Sequence, residues 1–158
     1  MKSPACIPDD LIDMLEGGVS ILVGTTDGEK RPQVARGVGA SISRDRTEVT
    51  IYLQESWSAK AIANLRASEE IAVGFSRPMD SSAIQLKGRC TRFLEPSEGD
   101  RSVVDRYHAA YGEQLFMVGM PRSITRRFVF WPAVGITFKV RDIFVQTPGP
   151  EAGKRLSP

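Results

Sequence analysis

Apolar residues in this chain fall into a series of short runs separated by turn sequences, with three stretches of helical spacing between them. VSILVGTT (19–26) is a compact apolar strand, followed by DGEKRP, in which Asp27-Gly28 is a hairpin signal. QVARGVGASIS (33–43) reads as the return strand, RDRT as the next turn and EVTIYLQ (48–54) as a third strand. EIAVGF (70–75) and AIQLKGRCTRFL (83–94) supply a fourth and a fifth, and FVFWPAVGITFKV (128–140) with DIFVQ (142–146) closes the set.

The helical stretches differ in character. PDDLIDMLEGG (8–18) places acids ahead of Leu11, Ile12 and Leu15 and ends in paired glycines, a short amphipathic helix. Residues 58–67 carry Ala61, Ile62 and Leu65 on one face. A longer helix starts near Pro96 and runs to about Leu115, with Val103, Val104, Tyr107, Ala110 and Tyr111 inward. GMPRSITRR is a basic connector, and TPGPEAGKRLSP a Pro- and Gly-rich tail expected to be mobile unless docked. Strands joined mainly by hairpins, with few helices between them, predict a mainly β (α+β) fold. The expected form is a small antiparallel barrel with peripheral helices, spanning 1–147 with a tail at 148–158. Regular strand–helix–strand alternation is lacking, which disfavours a doubly wound fold.

Composition narrows the function. A net charge of +2 gives no whole-molecule field for nucleic acid or membrane. No run approaches the ~20 apolar residues of a spanning helix, and the N-terminus lacks a signal-peptide core, so cytoplasmic residence is the expectation. Two cysteines, Cys6 and Cys90, and one histidine, His108, leave little for a metal site or a Ser/His/Asp triad.

Three places depart from core-and-surface logic. Lys60 stands in the first turn of the second helix, where a cation is mildly unfavourable. Either it is solvated beside a Ser58 cap, or an anion sits there and uses Ser56, Ser58, Lys60 and the helix N-terminus together. In ARGVGAS (35–41), Ala35, Gly37, Gly39 and Ser41 share one face of a regular strand, and Arg36 points the other way. Such small residues suit a flat ring against bare backbone, a bulge at a barrel corner, or tight subunit packing. Arg122, Arg126 and Arg127 form either a solvated basic face or a second anion contact.

These pieces in this order resemble the FMN-binding split-barrel family related to pyridoxamine 5′-phosphate oxidase. The resemblance covers roughly Ile7 to Gln146. It rests on VSILVGTTDGEKRPQVARGVG, on IYLQESWSAKAIANLRASEEIAVGF and on the glycine-ended strand AIQLKG. It implies a homodimer of split barrels with FMN in clefts between subunits. Lys60 and Ser58 would hold the phosphate and Arg36 would reach it from the preceding strand. The backbone of Gly37, Val38, Gly39, Leu53 and Gln54 would line the flavin ring. Ala59 stands where the oxidases often have a second basic residue, and Ala83 where they usually have a glutamine, which Gln85 would replace. The oxidases' C-terminal arginine–histidine signature has no match, which argues against true pyridoxamine-phosphate oxidase activity. The expectation is a flavin-dependent oxidoreductase acting on a small molecule. The alternatives are a non-catalytic flavin or haem carrier or sensor, and a reductase using a deazaflavin.

Overall fold

A computed structural model describes residues 5–156. Six antiparallel strands run β1 (Ser20–Thr26), β2 (Pro32–Ile42), β3 (Glu48–Gln54), β4 (Glu70–Ser76), β5 (Ala83–Leu94) and β6 (Ala133–Val145). Their spatial order is β3-β2-β1-β4-β5-β6, and pairing of β3 with β6 closes the barrel. Closure leaves few free sheet edges in a small domain. Alternate residues point inward, so Ile21, Val23, Ile51, Leu53, Val73, Phe75, Leu86, Ile136 and Phe138 fill the interior.

Four helices decorate this barrel: α1 (Asp9–Leu15), α2 (Ala59–Ser68), α3 (Glu98–Met117) and α4 (Arg122–Thr125). α2 packs on β1 and β2 through Ala61 and Leu65, and the buried Asn64 donates a 3.1 Å hydrogen bond to Thr25 Oγ1. α3 lies along β2, where Tyr107 Oη donates to the Val19 carbonyl at 2.8 Å.

The strand β2 is not regular. Gly37 pairs with Leu53 but Ala40 pairs with Ile51, so Val38 and Gly39 together stand opposite Tyr52. This β-bulge reverses the side-chain alternation. Ala35, Gly37 and Ala40 are buried, and Ser41, beyond the bulge, is displaced from the face expected of a regular strand. Gly39 takes φ +153°, a conformation side-chain-bearing residues rarely adopt, and a Cβ there would lie 3.4 Å from Tyr52 and 3.7 Å from Tyr107. Of the three readings open for the glycines, a bulge is what the backbone adopts.

Three expected boundaries move. Residues 128–131, read as strand for their aromatic content, are irregular, because Phe128 and Phe130 turn to pack on His108 and Pro132 cannot donate to a ladder. The break expected at 141 is a bulge within one continuous β6: Gly88 pairs with Val140 and Lys87 with Asp142, leaving Arg141 over. The tail, expected to be free unless docked, folds back on its own barrel. Its strand β7 (Arg155–Leu156) pairs with β6, and Arg155 forms an ion pair with Asp142 at 2.6 Å. Among the described residues no helix is long and apolar enough to cross a membrane.

Candidate functional site

The end of β3 orients two helices. Tyr52 and Gln54 lie two residues apart, on the same side of the strand, opposite in direction to the inward-facing Leu53. Tyr52 Oη donates to Asp100 Oδ1 at 2.7 Å, which ties β3 to the first turn of α3. Burial and this carboxylate push the Tyr52 phenol up to about 12. Gln54 is buried, and its Oε1 accepts hydrogen bonds from Ser56 Oγ and from the Trp57 N–H, each at 2.9 Å. Its carbonyl accepts from the Ser58 N–H at 3.2 Å. One glutamine therefore shapes the whole turn that delivers α2.

That turn leaves the start of α2 open. Ser58 precedes the helix and is buried, but its side chain makes no capping hydrogen bond, so the cap that one of the two readings offered is absent. No acidic residue stands in the first turn, where the residues are Ala59, Lys60 and Ala61. Lys60 is exposed and, among the described residues, has no ion-pair partner. First-turn N–H groups lacking helical acceptors and an adjacent ammonium together make a positive site.

Arg36 shares a cavity with Trp57 of the turn that delivers α2. Because Gly37 pairs with Leu53, Arg36 reaches the barrel surface next to the β3 terminus at Gln54. It faces outward, opposite to Ala35 and Gly37, as regular alternation up to the bulge requires. Its Nη1 donates to Tyr111 Oη at 3.1 Å and lies 3.5 Å from Ser20 Oγ. Arg36 also forms one edge of a cavity of about 320 Å³ whose walls are Trp57, Tyr111, Leu115, Met120, Phe128 and Phe130. Sequence reasoning placed Tyr111 on an inner helix face. It missed the convergence, because the cavity joins β2, the turn before α2 and the stretch 111–130, the last more than fifty residues along the chain from either of the others.

The remaining candidates are distributed around the barrel and its helices. Leu53 is fully buried, with its main chain in ladder register with Gly37 on one side and Val134 on the other. Val38 is fully buried, and α3 occupies the space against Gly39. Gln85 is on the outer row of the sheet with Arg36, but Leu22 and Gly74 intervene. Three strand spacings separate the two, about 14 Å. Arg122 is committed to Glu113, with hydrogen bonds of 2.9 and 2.7 Å, and it stacks on Phe116. That pairing holds the Glu113 carboxyl below its ordinary value. Arg126 lines the cleft between α3 and α4 with Asp105 and Glu113, so the cleft is of mixed charge. His108 Nε2 lies 2.7 Å from the Thr125 carbonyl and its ring packs on Phe130, fastening α4 to α3. Cys90 is buried, which pushes its thiol up to about 12 and makes it a poor nucleophile.

The architecture, a closed six-stranded antiparallel barrel with peripheral helices, is the split-barrel fold of pyridoxamine 5′-phosphate oxidase-related proteins. Solved structures share it along most of their length. An F420 reductase superimposes with a TM-score of 0.60 at 13% identity, over 87% of this chain and 98% of its own. An FMN-binding protein from Syntrophomonas wolfei gives 0.54 at 14% identity, over 86% of each chain. A pyridoxinephosphate oxidase-family protein from Clostridium acetobutylicum, related to general stress protein 26, gives 0.54 at 11% identity, over 94% of this chain and 88% of its own. At such identities the likeness establishes the fold. No family model and no curated protein matches the sequence.

Proposed function

We propose that this protein binds FMN and acts as a flavin-dependent oxidoreductase on a small molecule. The observation that carries the reading is the start of α2: an uncapped helix terminus with no acid in its first turn, the unpaired Lys60 within that turn and Arg36 nearby. A phosphate dianion satisfies all of them at once, through the N–H groups, the ammonium and the guanidinium. Ser58 supports the turn, and Gln54 fixes its shape. The neighbours support this, since one is an FMN-binding protein and another an F420 reductase.

The residues present fit the cofactor's anionic end better than they fit a fixed ring position. The flavin supplies the redox chemistry, accepting or donating a hydride. The chain's part is to bind and orient it, with the main chain at Gly37, Leu53 and Gln54 as the proposed wall for the ring; Gly39 lies against Tyr107 and Val104 of α3. No side chain on this wall is placed as a general acid or base, so protons come from solvent.

A homodimer completes the reading. Beside Arg36, the outer face of β2, β1 and β4 carries Val34, 59% exposed, and Leu22, 47% exposed, next to Gly24 and Gly74. Side chains of this kind on a sheet face suit burial against a second copy. Across such an interface Gln85 could approach a cofactor that it cannot reach in its own chain. Native mass spectrometry of protein purified with FMN tests both parts: a dimer carrying two FMN masses is expected, and an unliganded monomer would remove the proposal. The deazaflavin alternative rests on Arg126 and Arg127, which have no ion pairs among the described residues and could serve a longer anionic tail.

A further inference from the structure

We propose that the cofactor extends past its phosphate: the aromatic cavity beside Arg36 receives a neutral planar base joined to that phosphate, which makes FAD a tighter ligand of this chain than FMN. The inference rests on the flavin reading, with the phosphate held by Lys60, the α2 terminus and Arg36. Its first support is where the cavity lies. Arg36 forms one edge, and Trp57, another wall, belongs to the turn that delivers α2, three residues before Lys60. The phosphate site and the cavity thus share Arg36 and meet at one turn.

The walls are the second support. Trp57, Tyr111, Phe128 and Phe130 supply four ring systems, Leu115 and Met120 fill the rest, and the volume of about 320 Å³ admits a bicyclic base. Tyr107 stacks behind Tyr111 with ring centroids 5.5 Å apart, and Phe130 packs on both Tyr107 and Phe128, so the walls are braced rather than loose. Trp57 is 59% exposed, which leaves ring area for a base to cover. Stacking of this kind needs no hydrogen-bonding partner, because every base has a π-face.

Charge decides which extension fits. Arg36 is the one ionic group lining the cavity, and it is oriented by neutral oxygens, Tyr111 Oη at 3.1 Å and Ser20 Oγ at 3.5 Å. Its guanidinium carbon lies 5.8 Å from the centre of the Tyr111 ring. With that charge engaged by the phosphate, the remaining walls offer nothing to a second anion, and an unpaired charge among them would be costly to bury. A long anionic tail is therefore out of place here. Adenine, uncharged near neutral pH, is not. Arg36 becomes the junction between the two halves of a dinucleotide, with the flavin half on the side of the α2 start and the adenosine half among the rings.

Calorimetric titration of the flavin-free protein with FMN and with FAD tests this. FAD is expected to bind about tenfold more tightly or better, the effect of one base stacked on an aromatic wall. Trp57→Ala, at an exposed side chain, should remove most of that advantage while FMN affinity holds within about twofold, and Trp57→Phe should keep most of it. Phe128→Ala should reduce the same advantage from another wall. Lys60→Ala and Arg36→Ala should weaken both flavins alike, because both ligands carry the phosphate. Equal affinity of the unaltered protein for FMN and FAD would overturn the proposal and leave the flavin reading standing. So would a Trp57→Ala variant that loses FMN and FAD to the same degree, which would put the flavin ring itself in the cavity. Binding of neither flavin would remove the flavin reading and this inference with it.

Discussion

The starts of α2 and α3 are fastened to the same strand, yet they are finished differently. At α3 the chain satisfies its own helix. Ser97 Oγ accepts from the Asp100 N–H at 3.2 Å and donates to the Asp100 carboxylate, Glu98 and Asp100 balance the dipole, and Tyr52 clamps the assembly to β3. At α2 a buried serine does not cap, no acid is present, and a lysine occupies the first turn. A short helix such as α1 also opens with two acids, Asp9 and Asp10. α1 and α3 thus share an acidic start that α2 lacks, as the four-residue α4 also does. At α2 that omission, together with Lys60, is what supports the proposed external anion.

Substitutions at the two ends should therefore move different observables. The largest effect belongs to Lys60→Ala, which should weaken FMN binding by roughly 1.5–3 kcal/mol, the worth of a charge-assisted contact, with little change in folding stability. Fluorescence titration of FMN against denaturant melts of the same variant makes the comparison; flavin retained at full affinity would strip α2 of its anion-binding role. Next comes Tyr52→Phe, expected to cost about 1–2 kcal/mol in folding stability through loss of a hydrogen bond to a carboxylate.

The same variant has a signature in alkali. The folded phenol, at about 12, lies above its value near 10 in an unfolded chain, so between those values the folded state holds the proton more tightly. Its contribution to stability is complete below pH 10 and is lost as pH rises toward 12. Denaturant melts across that range should show a shallower decline for Tyr52→Phe. Some decline persists, because the Cys90 thiol and the Tyr107 phenol are also raised by burial.

Smaller effects sharpen the contrast. Ser97→Ala should cost about 1 kcal/mol of stability, as loss of an N-cap does, whereas Ser58→Ala should cost less than half of that and register mainly in FMN affinity. Equal destabilisation by both would mean that Ser58 caps in solution. The double substitution Arg126→Ala/Arg127→Ala should leave FMN affinity unchanged; a loss confined to a deazaflavin with a long anionic tail would favour that cofactor.

How far the sequence discloses this arrangement depends on the range of the interactions. The strands were legible because period-two alternation, as in Ile21, Val23 and Thr25, is imposed residue by residue by the barrel interior. The α2 start was legible too, since a lysine without an acid beside it is a local oddity. The bulge in β2 was not, because glycines at 37 and 39 are compatible with several backbone paths and only pairing with Leu53 and Ile51 selects one. The segment Phe128–Trp131 misled for a related reason. Its composition is that of a strand, but tertiary contacts with His108 and the cavity outweigh local preference. The cavity itself belongs to the spacing of three distant segments, which no periodicity encodes.

The extra residue in β2 has a consequence for how this barrel tolerates changes of length. Because two residues already stand opposite Tyr52, removing one would bring Gly37 and Ala40 into an ordinary two-step match with Leu53 and Ile51, and both would still face the interior. In β1, whose pairings with β2 and β4 run without a shift, deleting one residue would turn Ile21 or Val23 out into water. The frame has slack at the stretch that carries Arg36, as it has between β5 and β6, so the surroundings of that arginine can be remodelled by insertion or deletion without unpicking the hydrophobic centre.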